Sequence, residues 1–306
     1  MAQEAASAEA PVKVACIQME PRIGDKPGNL KKSERMIREA AKKGARLLVL
    51  PELCNSGYMF KSREEAFGLA EPVPGGQTTK LWTKLAAELG LTIVAGICER
   101  DGNALYNSAV VIDPSGHVGS FRKVHLWNEE ALFFEPGNLG FPVFNTAAGR
   151  IGTFICYDGW FPESHRSCAL GGADIICVPT NWVPIPGQDK TREAMANILV
   201  MAAAHSNSVF IAAADRVGTE RGQPFLGQSL IASYTGWPIG GPASSDEEEI
   251  IYAEVNLSDA RRKRSWNEFN HILRDRRPEA YGLAAGTARG SAAATPLQTA
   301  GSRSTH

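Results

Sequence analysis

Short apolar segments rich in β-branched residues alternate along the chain with longer amphipathic segments. The short segments predict buried strands, whereas apolar residues at three- and four-residue spacing predict helices. Leu30, Met36 and Ile37, for example, fall on one face of a helix predicted over residues 28–44, with lysine and arginine on the opposite face. This repeated alternation of strand and helix predicts an α/β protein.

Further segments follow the same two patterns. The predicted strands span residues 12–18, 46–50, 92–99, 106–113, 117–124, 149–156, 175–179, 209–214, 227–233 and 250–255, and the predicted helices residues 28–44, 77–89, 162–171 and 190–205. The turn Asp-Pro-Ser-Gly at 113–116 joins two of these strands into a hairpin, so we expect mixed sheets. We also expect the strands at 227–233 and 250–255 to pair with each other.

The domain organisation follows from where the pattern stops. No linker-like composition interrupts residues 11–282, which we therefore predict to form one domain. Residues 1–10 are rich in Ala and Glu, and residues 283–306 are rich in Ala, Gly, Ser and Thr with almost no large apolar side chain. Both segments are predicted to be flexible.

The bulk composition excludes several functional classes. Of 306 residues, 43% are hydrophobic, and the net charge is −1, so no overall field favours binding to nucleic acid or to a membrane surface. Residues 1–10 lack the features of a signal peptide, and no apolar run approaches the roughly 18 residues of a membrane span. A cytoplasmic location is therefore expected.

Cysteine usage agrees with that location. No Cys-x-x-Cys pair or zinc-like His/Cys spacing occurs, and several cysteines lie inside apolar runs, which is typical of free buried thiols in a reducing compartment. The sequence therefore predicts neither a disulfide framework nor a metal site. The six cysteines are Cys16, Cys54, Cys98, Cys156, Cys168 and Cys177.

One cysteine stands at a point where an apolar run stops abruptly. Cys156 follows Phe154 and Ile155, and Gly, Trp and Pro follow it within six residues, which predicts a buried strand, a sharp turn and then a helix. A cysteine near a helix N-terminus is expected to have a lowered thiol pKa and to be nucleophilic. The alternative is an inert core thiol, which is a common state of buried cysteine.

Two further reactive side chains stand at predicted strand ends. Glu52 follows a buried strand and Pro51, and Lys123 lies at the end of the second hairpin strand. Alone, the glutamate is equally explained by capping or a salt bridge, and the lysine by a solvated edge strand. Together with Cys156 they form a base, a cation and a nucleophile. The base would take the thiol proton, while Lys123 and the backbone N–H of Tyr157 would hold the charge of an intermediate.

These residues lie in segments that resemble the three signatures of the nitrilase (carbon–nitrogen hydrolase) superfamily. The segments are Pro-Glu-Leu at 51–53, Arg-Lys-Val-His-Leu at 122–126 and Cys-Tyr-Asp-Gly-Trp-Phe-Pro-Glu at 156–163, in the family's order and at its approximate spacing. The resemblance extends over residues 12–282. It implies a four-layer α-β-β-α sandwich with mixed sheets, no cofactor, and hydrolysis of a non-peptide C–N bond. It also implies a homodimer or larger assembly, with residues 162–171, 190–205 and 266–281 as candidate interface segments.

The family's catalytic roles carry over position by position. The resemblance implies that Cys156 is the nucleophile, Glu52 the general base and Lys123 the stabiliser of the oxyanion. A second glutamate often follows the lysine in this family, where it orients the lysine and the substrate. Glu130 matches that position best, although Glu129 is its immediate neighbour.

The residues after the nucleophile bear on the branch of the family. Branches with nitrilase activity usually follow the cysteine with Trp-Glu, whereas Tyr157 and Asp158 resemble the amidase and carbamoylase branches. We therefore expect a thiol hydrolase that cleaves a small linear amide or N-carbamoyl compound through a Cys acyl-enzyme. The alternatives are a nitrilase, a non-catalytic interaction protein, and a papain-like hydrolase with His205 or His271 as the base. A zinc hydrolase lacks a suitable set of ligands in the sequence.

Loops that follow these residues are expected to line the substrate pocket, and their side chains are mostly aromatic and neutral. The candidates for oxyanion or substrate binding are Tyr58, Trp127, Tyr157, Trp160, Asn181 and Trp182. Two of these tryptophans, Trp160 and Trp182, are equally explained as packing residues. Three arginines are possible anchors for a substrate carboxylate, or else ordinary surface arginines: Arg166, Arg192 and Arg216.

Overall fold

The computed structural model describes residues 11–185, 187 and 193–281. The terminal segments predicted to be flexible, 1–10 and 283–306, lie outside the described residues, as do Arg192 and the first part of the helix predicted over 190–205. The structure therefore describes the domain predicted over residues 11–282 except for residues 186, 188–192 and 282.

Strands and helices alternate through this range. Among the described residues the strands are β1 (Val12–Gln18), β2 (Leu47–Val49), β3 (Thr92–Asp101), β4 (Ala104–Asp113), β5 (Gly116–Arg122), β6 (Val143–Thr146), β7 (Gly149–Thr153), β8 (Ile175–Pro179), β9 (Phe210–Ala214), β10 (Thr219–Glu220), β11 (Gln223–Pro224), β12 (Leu230–Ala232), β13 (Pro238–Gly240) and β14 (Glu249–Val255). The α-helices are α1 (Lys26–Lys42), α2 (Arg63–Leu69), α3 (Gln77–Leu89), α4 (Pro162–Leu170), α5 (Met195–Asn207), α6 (Ser258–Arg262) and α7 (Pro278–Tyr281).

Two six-stranded mixed sheets form the centre of the molecule. Their strand orders are β14-β1-β2-β3-β4-β5 and β13-β12-β9-β8-β7-β6. In the first sheet β2 pairs in parallel with β1 and β3, and in the second sheet β8 pairs in parallel with β7 and β9. The two-residue period of a strand divides the side chains of β1 between two cores. Val14 and Cys16 pack in the core between the sheets, whereas Ala15 and Ile17 face the helices.

The helices cover the two outer faces. Apolar side chains of α1 and α3 pack on the first sheet, and those of α4 and α5 pack on the second. The order of layers is therefore helix, sheet, sheet, helix, and the expected four-layer α-β-β-α sandwich is confirmed. No described helix has both the length and the apolar character needed to cross a membrane. All six cysteines are buried and free.

One predicted pairing is wrong. The segments predicted at 227–233 and 250–255 belong to different sheets, because β12 pairs with β9 and β13, whereas β14 pairs with β1 along seven residues. Ile251 and Ala253 of β14 contribute to the core between the sheets together with Val14 of β1. The apolar alternation identifies both strands correctly, but proximity in sequence does not identify their partners. The short elements α2, β6 and β13 were also not predicted.

Candidate active site

The two sheets bring three predicted strand ends together at one edge of the molecule. Glu52 follows β2 and Lys123 follows β5 in the first sheet, and Cys156 follows β7 in the second. A bond between the sheets fixes this edge, because the Asn181 side-chain Nδ2 after β8 donates to the main-chain oxygen of Glu52 at 3.0 Å. The backbone at Glu52 also passes close to Gly96 of β3, where a Cβ atom would lie 2.4 Å from the Glu52 Cα.

Lys123 is the centre of a buried ionic cluster. Its Nζ donates to Glu52 Oε1 and to Glu130 Oε1, both at 2.7 Å, and all three side chains are buried. Of the two neighbouring glutamates, Glu130 contacts the lysine, whereas Glu129 is exposed to solvent. Tyr58 completes the cluster, because its hydroxyl donates to Glu130 Oε1 at 2.6 Å.

The two carboxylate oxygens of Glu52 have different environments. Oε1 accepts from Lys123 Nζ at 2.7 Å and from Asn107 Nδ2 at 2.6 Å. Oε2 is buried and has no hydrogen-bond partner among the residues that the structure describes. A buried acceptor without a donor is costly and is well suited to receive a proton, so Oε2 is the atom available for base chemistry.

Burial shifts the ionisation of each reactive group. Burial raises the pKa of Glu52 to about 7, although Lys123 opposes that shift. Burial also acts to lower the pKa of Lys123, but the carboxylates of Glu130 and Glu52 outweigh it, so its pKa lies above its ordinary value. The lysine therefore remains charged at neutral pH, while the glutamate is close to its midpoint.

The expected lowering of the cysteine pKa is wrong. Burial raises the pKa of Cys156 well above its usual value, the charge of Glu52 adds to this, and Lys123 only partly opposes it. The α-helix begins at Pro162 rather than directly behind the cysteine, so its N-terminus is too remote to reverse the effect of burial. The Cys156 side chain is consequently a neutral thiol at rest, and a base would have to take its proton before the sulfur could act as a nucleophile.

Cys156 itself lies in a strained turn. The preceding strand β7 ends at Thr153, three residues earlier than predicted, and Cys156 opens a single 3₁₀ turn over Cys156–Trp160. Its φ of +48° is in the left-handed region that a non-glycine residue rarely adopts. Strain of this kind persists only where surrounding contacts impose it, and it is common at reactive residues.

A small, largely aromatic cavity surrounds the thiol. Its volume is about 270 Å³, and it is lined by Trp127, Cys156, Tyr157, Trp160, Asn181, Trp182, Val183 and Ile185. Five of the six predicted pocket residues therefore lie around Cys156. A second cavity of about 410 Å³ shares Trp127 and Val183 with the first and is lined also by Tyr58, Met59, Phe60, Asn128, Glu129, Glu130, Phe133, Phe134 and Gln223.

The structure gives other roles to residues proposed as alternatives. Arg216 is buried and donates to Glu220 Oε1 at 3.1 Å and to the Pro21 main-chain oxygen at 2.7 Å. Arg166 donates to the main-chain oxygen of Ser206. Neither arginine lines the two cavities, so neither is a carboxylate anchor, and Arg192 lies outside the described residues.

The histidines proposed as a papain-like base also have other contacts in the structure. His205 stacks on Trp266 with ring centroids 5.5 Å apart, and His271 pairs with Ser265 in an isolated bridge. Neither lines the cavity around Cys156. The described geometry therefore offers Glu52, rather than a histidine, as the base.

The sequence reasoning missed the contacts of two polar residues near the site, although it had noted Asp158 as a marker of the family branch. Asn107 lies within the buried strand β4, and its amide binds Glu52, which is 55 residues away in sequence. Asp158 is fully buried directly behind the nucleophile and binds the segment that follows Lys123. A polar residue inside an apolar segment was the available signal for both, but the sequence does not name its distant partner.

Comparison with known proteins agrees with the geometry. A family described as carbon-nitrogen hydrolase matches residues 13–265. A protein of Pyrococcus abyssi named nitrilase is 46% identical over 88% of this chain and 99% of its own length. An N-carbamoylputrescine amidase of Solanum lycopersicum is 36% identical over 83% of this chain and 88% of its own length.

A solved structure extends this similarity to the fold. The crystal structure of a carbon–nitrogen hydrolase from Helicobacter pylori G27 superimposes with a TM-score of 0.80 and 26% identity, covering 90% of this chain and 98% of the other. The three sequence signatures lie inside the matched range 13–265, and the strands and helices of the sandwich fill most of that range. The chain therefore belongs to the carbon–nitrogen hydrolase family and is an enzyme of that class.

Proposed function

We propose that this enzyme hydrolyses a small linear amide or N-carbamoyl compound through a thioester or thiocarbamate on Cys156. The observation that carries the proposal is the arrangement around Glu52. One carboxylate oxygen is held by Lys123 at 2.7 Å, while the other is buried without a donor among the described side chains and backbone groups. The charge of Glu52 also helps to raise the pKa of the Cys156 thiol, which places the two groups near each other. This arrangement supports a base that is oriented by a permanent cation.

Acylation begins with proton transfer from the thiol to Glu52 Oε2 as Sγ attacks the carbonyl carbon. The oxyanion of the tetrahedral intermediate is stabilised by Lys123 Nζ and the backbone N–H of Tyr157. Collapse of the intermediate breaks the C–N bond, and the leaving nitrogen takes the proton from Glu52. Ammonia or an amine departs, and the acyl group remains on sulfur.

Deacylation repeats these steps with water. The oxygen of a water molecule attacks the acyl carbon while Glu52 accepts a proton from that water. Lys123 again stabilises the oxyanion. The C–S bond breaks, and Glu52 returns its proton to the sulfur, which restores the thiol. The product is a carboxylic acid, or a carbamic acid that decomposes to carbon dioxide and an amine or ammonia.

Glu130 and Tyr58 support this chemistry by holding the cation in place. Glu130 Oε1 accepts from both Lys123 Nζ and the Tyr58 hydroxyl, so two donors hold this one oxygen. Charge-assisted hydrogen bonds of this kind are short and directional. We assign Glu130 to the orientation of Lys123 and Tyr58 to the orientation of Glu130.

The charges around the two cavities favour a neutral or cationic substrate. Their described linings contain Glu129 and Glu130 but neither lysine nor arginine, and the remaining side chains are mostly aromatic or apolar. A substrate carboxylate would meet negative potential without an anchor. We therefore favour amides and N-carbamoyl amines over N-carbamoyl amino acids. The relative named N-carbamoylputrescine amidase supports this choice.

An ammonia-release panel tests the proposal. The panel contains propionamide, N-carbamoylputrescine, N-carbamoyl-β-alanine and propionitrile, each measured with the wild type and with Cys156→Ala. We expect turnover of the amide or of the carbamoyl amine, weaker turnover of the carbamoyl amino acid, and none with Cys156→Ala. Turnover of the nitrile alone would overturn the proposal.

Nitrile hydrolysis is the second candidate, because the relative from Pyrococcus abyssi that is 46% identical is named nitrilase. In that reaction the thiol would add to the nitrile carbon, its proton would pass through Glu52 to the nitrogen, and a thioimidate would form. One water would add and ammonia would leave, which gives the thioester, and a second water would hydrolyse the thioester to the carboxylic acid and restore the thiol. The same base and nucleophile would serve. Carboxylic acid formation from propionitrile, without activity toward propionamide, would favour this function.

We further propose that the enzyme acts in the reducing environment of the cytoplasm. All six cysteines are free and buried, and the candidate nucleophile must remain a thiol. Loss of ammonia release after mild oxidation, with recovery on adding dithiothreitol, is the expected result. Activity that is unaffected when Cys156 is oxidised would contradict this requirement.

A further inference from the structure

We propose that Asp158 and His125 form a positioning pair that holds the nucleophile turn against the lysine segment. This inference rests on the proposed function, because it concerns the mutual placement of Cys156 and Lys123. Asp158 follows the nucleophile by two residues, and His125 follows the lysine by two residues. A bond between them therefore links the loops of two different sheets close to both reactive groups.

The carboxylate of Asp158 is fully buried and accepts three hydrogen bonds. Its Oδ2 accepts from the backbone N–H of Ile155 at 3.1 Å. Its Oδ1 accepts from the backbone N–H of His125 at 2.9 Å and from the His125 ring Nδ1 at 2.7 Å. Because a carboxylate can only accept, the ring nitrogen that faces it carries the proton.

This arrangement has two consequences for the turn at Cys156. The bond to Ile155 closes the 3₁₀ turn around the cysteine, whose φ is +48°. The two bonds to His125 fix the same carboxylate to the segment after Lys123. A strained residue keeps its conformation only while neighbouring contacts impose it. Removal of one donor from the buried carboxylate should therefore allow the turn to relax and move the thiol away from Glu52.

The ring of His125 makes a second contact, and an experiment must distinguish the effect of that contact from the effect of the hydrogen bond to Asp158. It stacks on Phe161 with ring centroids 3.7 Å apart and planes inclined by 10°. The histidine side chain is 29% exposed, so its replacement leaves no enclosed cavity. Two substitutions each remove one of these two contacts of His125 and keep the other. His125→Phe keeps an aromatic ring on Phe161 and removes the donor, whereas His125→Asn keeps a donor at the position of Nδ1 and removes the ring.

Alkylation of Cys156 by iodoacetamide provides a readout that needs no substrate. In this reaction sulfur displaces iodide, and the thiol proton passes to Glu52. The other five cysteines are at most 1% exposed, whereas Cys156 is 7% exposed, so it should react selectively. Peptide mapping by mass spectrometry measures the rate at this residue, and Cys156→Ala identifies any background reaction. His117→Phe is the matched control, since His117 lies on β5 and bonds only Ser120 among described side chains.

We expect His125→Phe to lower the alkylation rate at Cys156 roughly tenfold, with a melting temperature close to that of the wild type. His125→Asn should recover most of that loss, and His117→Phe should react at the wild-type rate. The pairing is overturned if His125→Phe reacts as fast as the wild type. It is also overturned if His125→Asn loses as much as His125→Phe, because ring packing would then be the cause. Failure of the proposed function would appear separately, as an absence of ammonia release by the wild type.

Discussion

Glu52 is the residue on which the proposed chemistry most depends, because its two oxygens are bonded so differently. Oε1 is held by Lys123 and Asn107, and Oε2 has no partner among the described residues. Burial also raises the pKa of the whole carboxyl group to about 7. A group with these properties can gain and lose a proton within one catalytic cycle near neutral pH.

The raised pKa of Glu52 predicts how activity depends on pH. The protonated acid cannot accept the thiol proton, so kcat/KM should fall as the pH decreases below about 7 and should level off above it. The raised pKa of Lys123 keeps the cation charged throughout this range. The measurement is kcat/KM for ammonia release between pH 5 and pH 9 (roughly the range over which such a group titrates). A profile that is flat from pH 5 to pH 7 would contradict the assignment of Glu52 as base.

Tyr58 allows a test of the support given to Lys123. Removal of its hydroxyl in Tyr58→Phe takes away one of the two donors that fix Glu130 Oε1, and kcat should fall roughly tenfold. Tyr252→Phe is the matched control, because the Tyr252 hydroxyl is buried without a hydrogen-bond partner among the described residues. If both variants were as active as the wild type, the Tyr58 hydroxyl would not be needed to orient Glu130.

The sequence predicted the residues of the candidate site but not the groups that contact them. Glu52, Lys123 and Cys156 were recognisable because each stands in a family motif at a predicted strand end. The contacts of Asn107 and Asp158 were not predictable, since their partners are distant in sequence. The raised pKa of Cys156 was also beyond prediction, because it depends on burial and on the proximity of Glu52 in three dimensions.

At the level of secondary structure, the site depends on close contact between two segments of the first sheet. Gly96 of β3 lies against the backbone of the Pro51–Glu52 peptide, which follows β2. A Cβ atom at this position would lie 2.4 Å from Glu52 Cα and 2.5 Å from Leu53 N. Backbone atoms at these distances cannot move independently of the sheet, so only glycine permits the observed approach.

Gly96→Ala should therefore disturb the base without touching its side chain. We expect a loss of stability of about 1–3 kcal/mol from overpacking and a larger proportional loss of kcat than of substrate affinity. Gly68→Ala is the control, because Gly68 lies in helix α2 with no atom within 4 Å of an added Cβ. That change should leave activity unaltered and stabilise the helix slightly. If Gly96→Ala retained wild-type activity, the close approach would not be required.

The periodicity of the sequence predicted most elements because burial acts on each strand locally. β1 and β8 coincide with their predicted bounds, and α3 does as well. The prediction that β12 and β14 pair with each other was wrong, because strand pairing does not depend on local burial alone. Both have apolar residues that suit either sheet, and the choice between partners depends on the assembled core. A sequence pattern therefore indicates which residues are buried better than it indicates which strands meet.

For the whole molecule, a buried histidine predicts how stability depends on pH. His165 lies in α4 against the Phe154 ring, and burial lowers its pKa to about 4. Between pH 6.5 and pH 4 the unfolded chain binds this proton and the folded protein does not. Its contribution to the free energy of unfolding is thus complete above pH 6.5 and falls by roughly 3 kcal/mol as the pH decreases to 4.

The variant His165→Leu isolates this contribution. Denaturant unfolding of the wild type and the variant at several pH values gives the difference in free energy at each pH. We expect the wild type to lose more stability than the variant between pH 6.5 and pH 4. Parallel pH profiles of the two proteins would show that His165 binds protons equally in both states.

The outer helices favour the homodimer that the family resemblance implies, and we retain it as a proposal. Large apolar side chains on α4 and α5 are exposed, namely Leu170 (49%), Met195 (43%) and Ile198 (46%). Burial of this surface against a second copy would remove it from water. Light scattering should give a dimer for the wild type and dissociation for Ile198→Glu. Leu139→Glu, at an exposed position in the segment between β5 and β6, should remain dimeric. A monomeric wild type would contradict the proposal.

The central claim is that Cys156 carries the acyl group, and rapid-quench mass spectrometry tests it most directly. The enzyme is mixed with the substrate of the ammonia panel that it turns over fastest, quenched in acid within the first turnover, and digested for peptide mapping. We predict an adduct with the mass of the acyl or carbamoyl group on the peptide that contains Cys156, and neither adduct nor turnover with Cys156→Ala. Turnover by Cys156→Ala at the wild-type rate, or an adduct on another residue, would contradict the account.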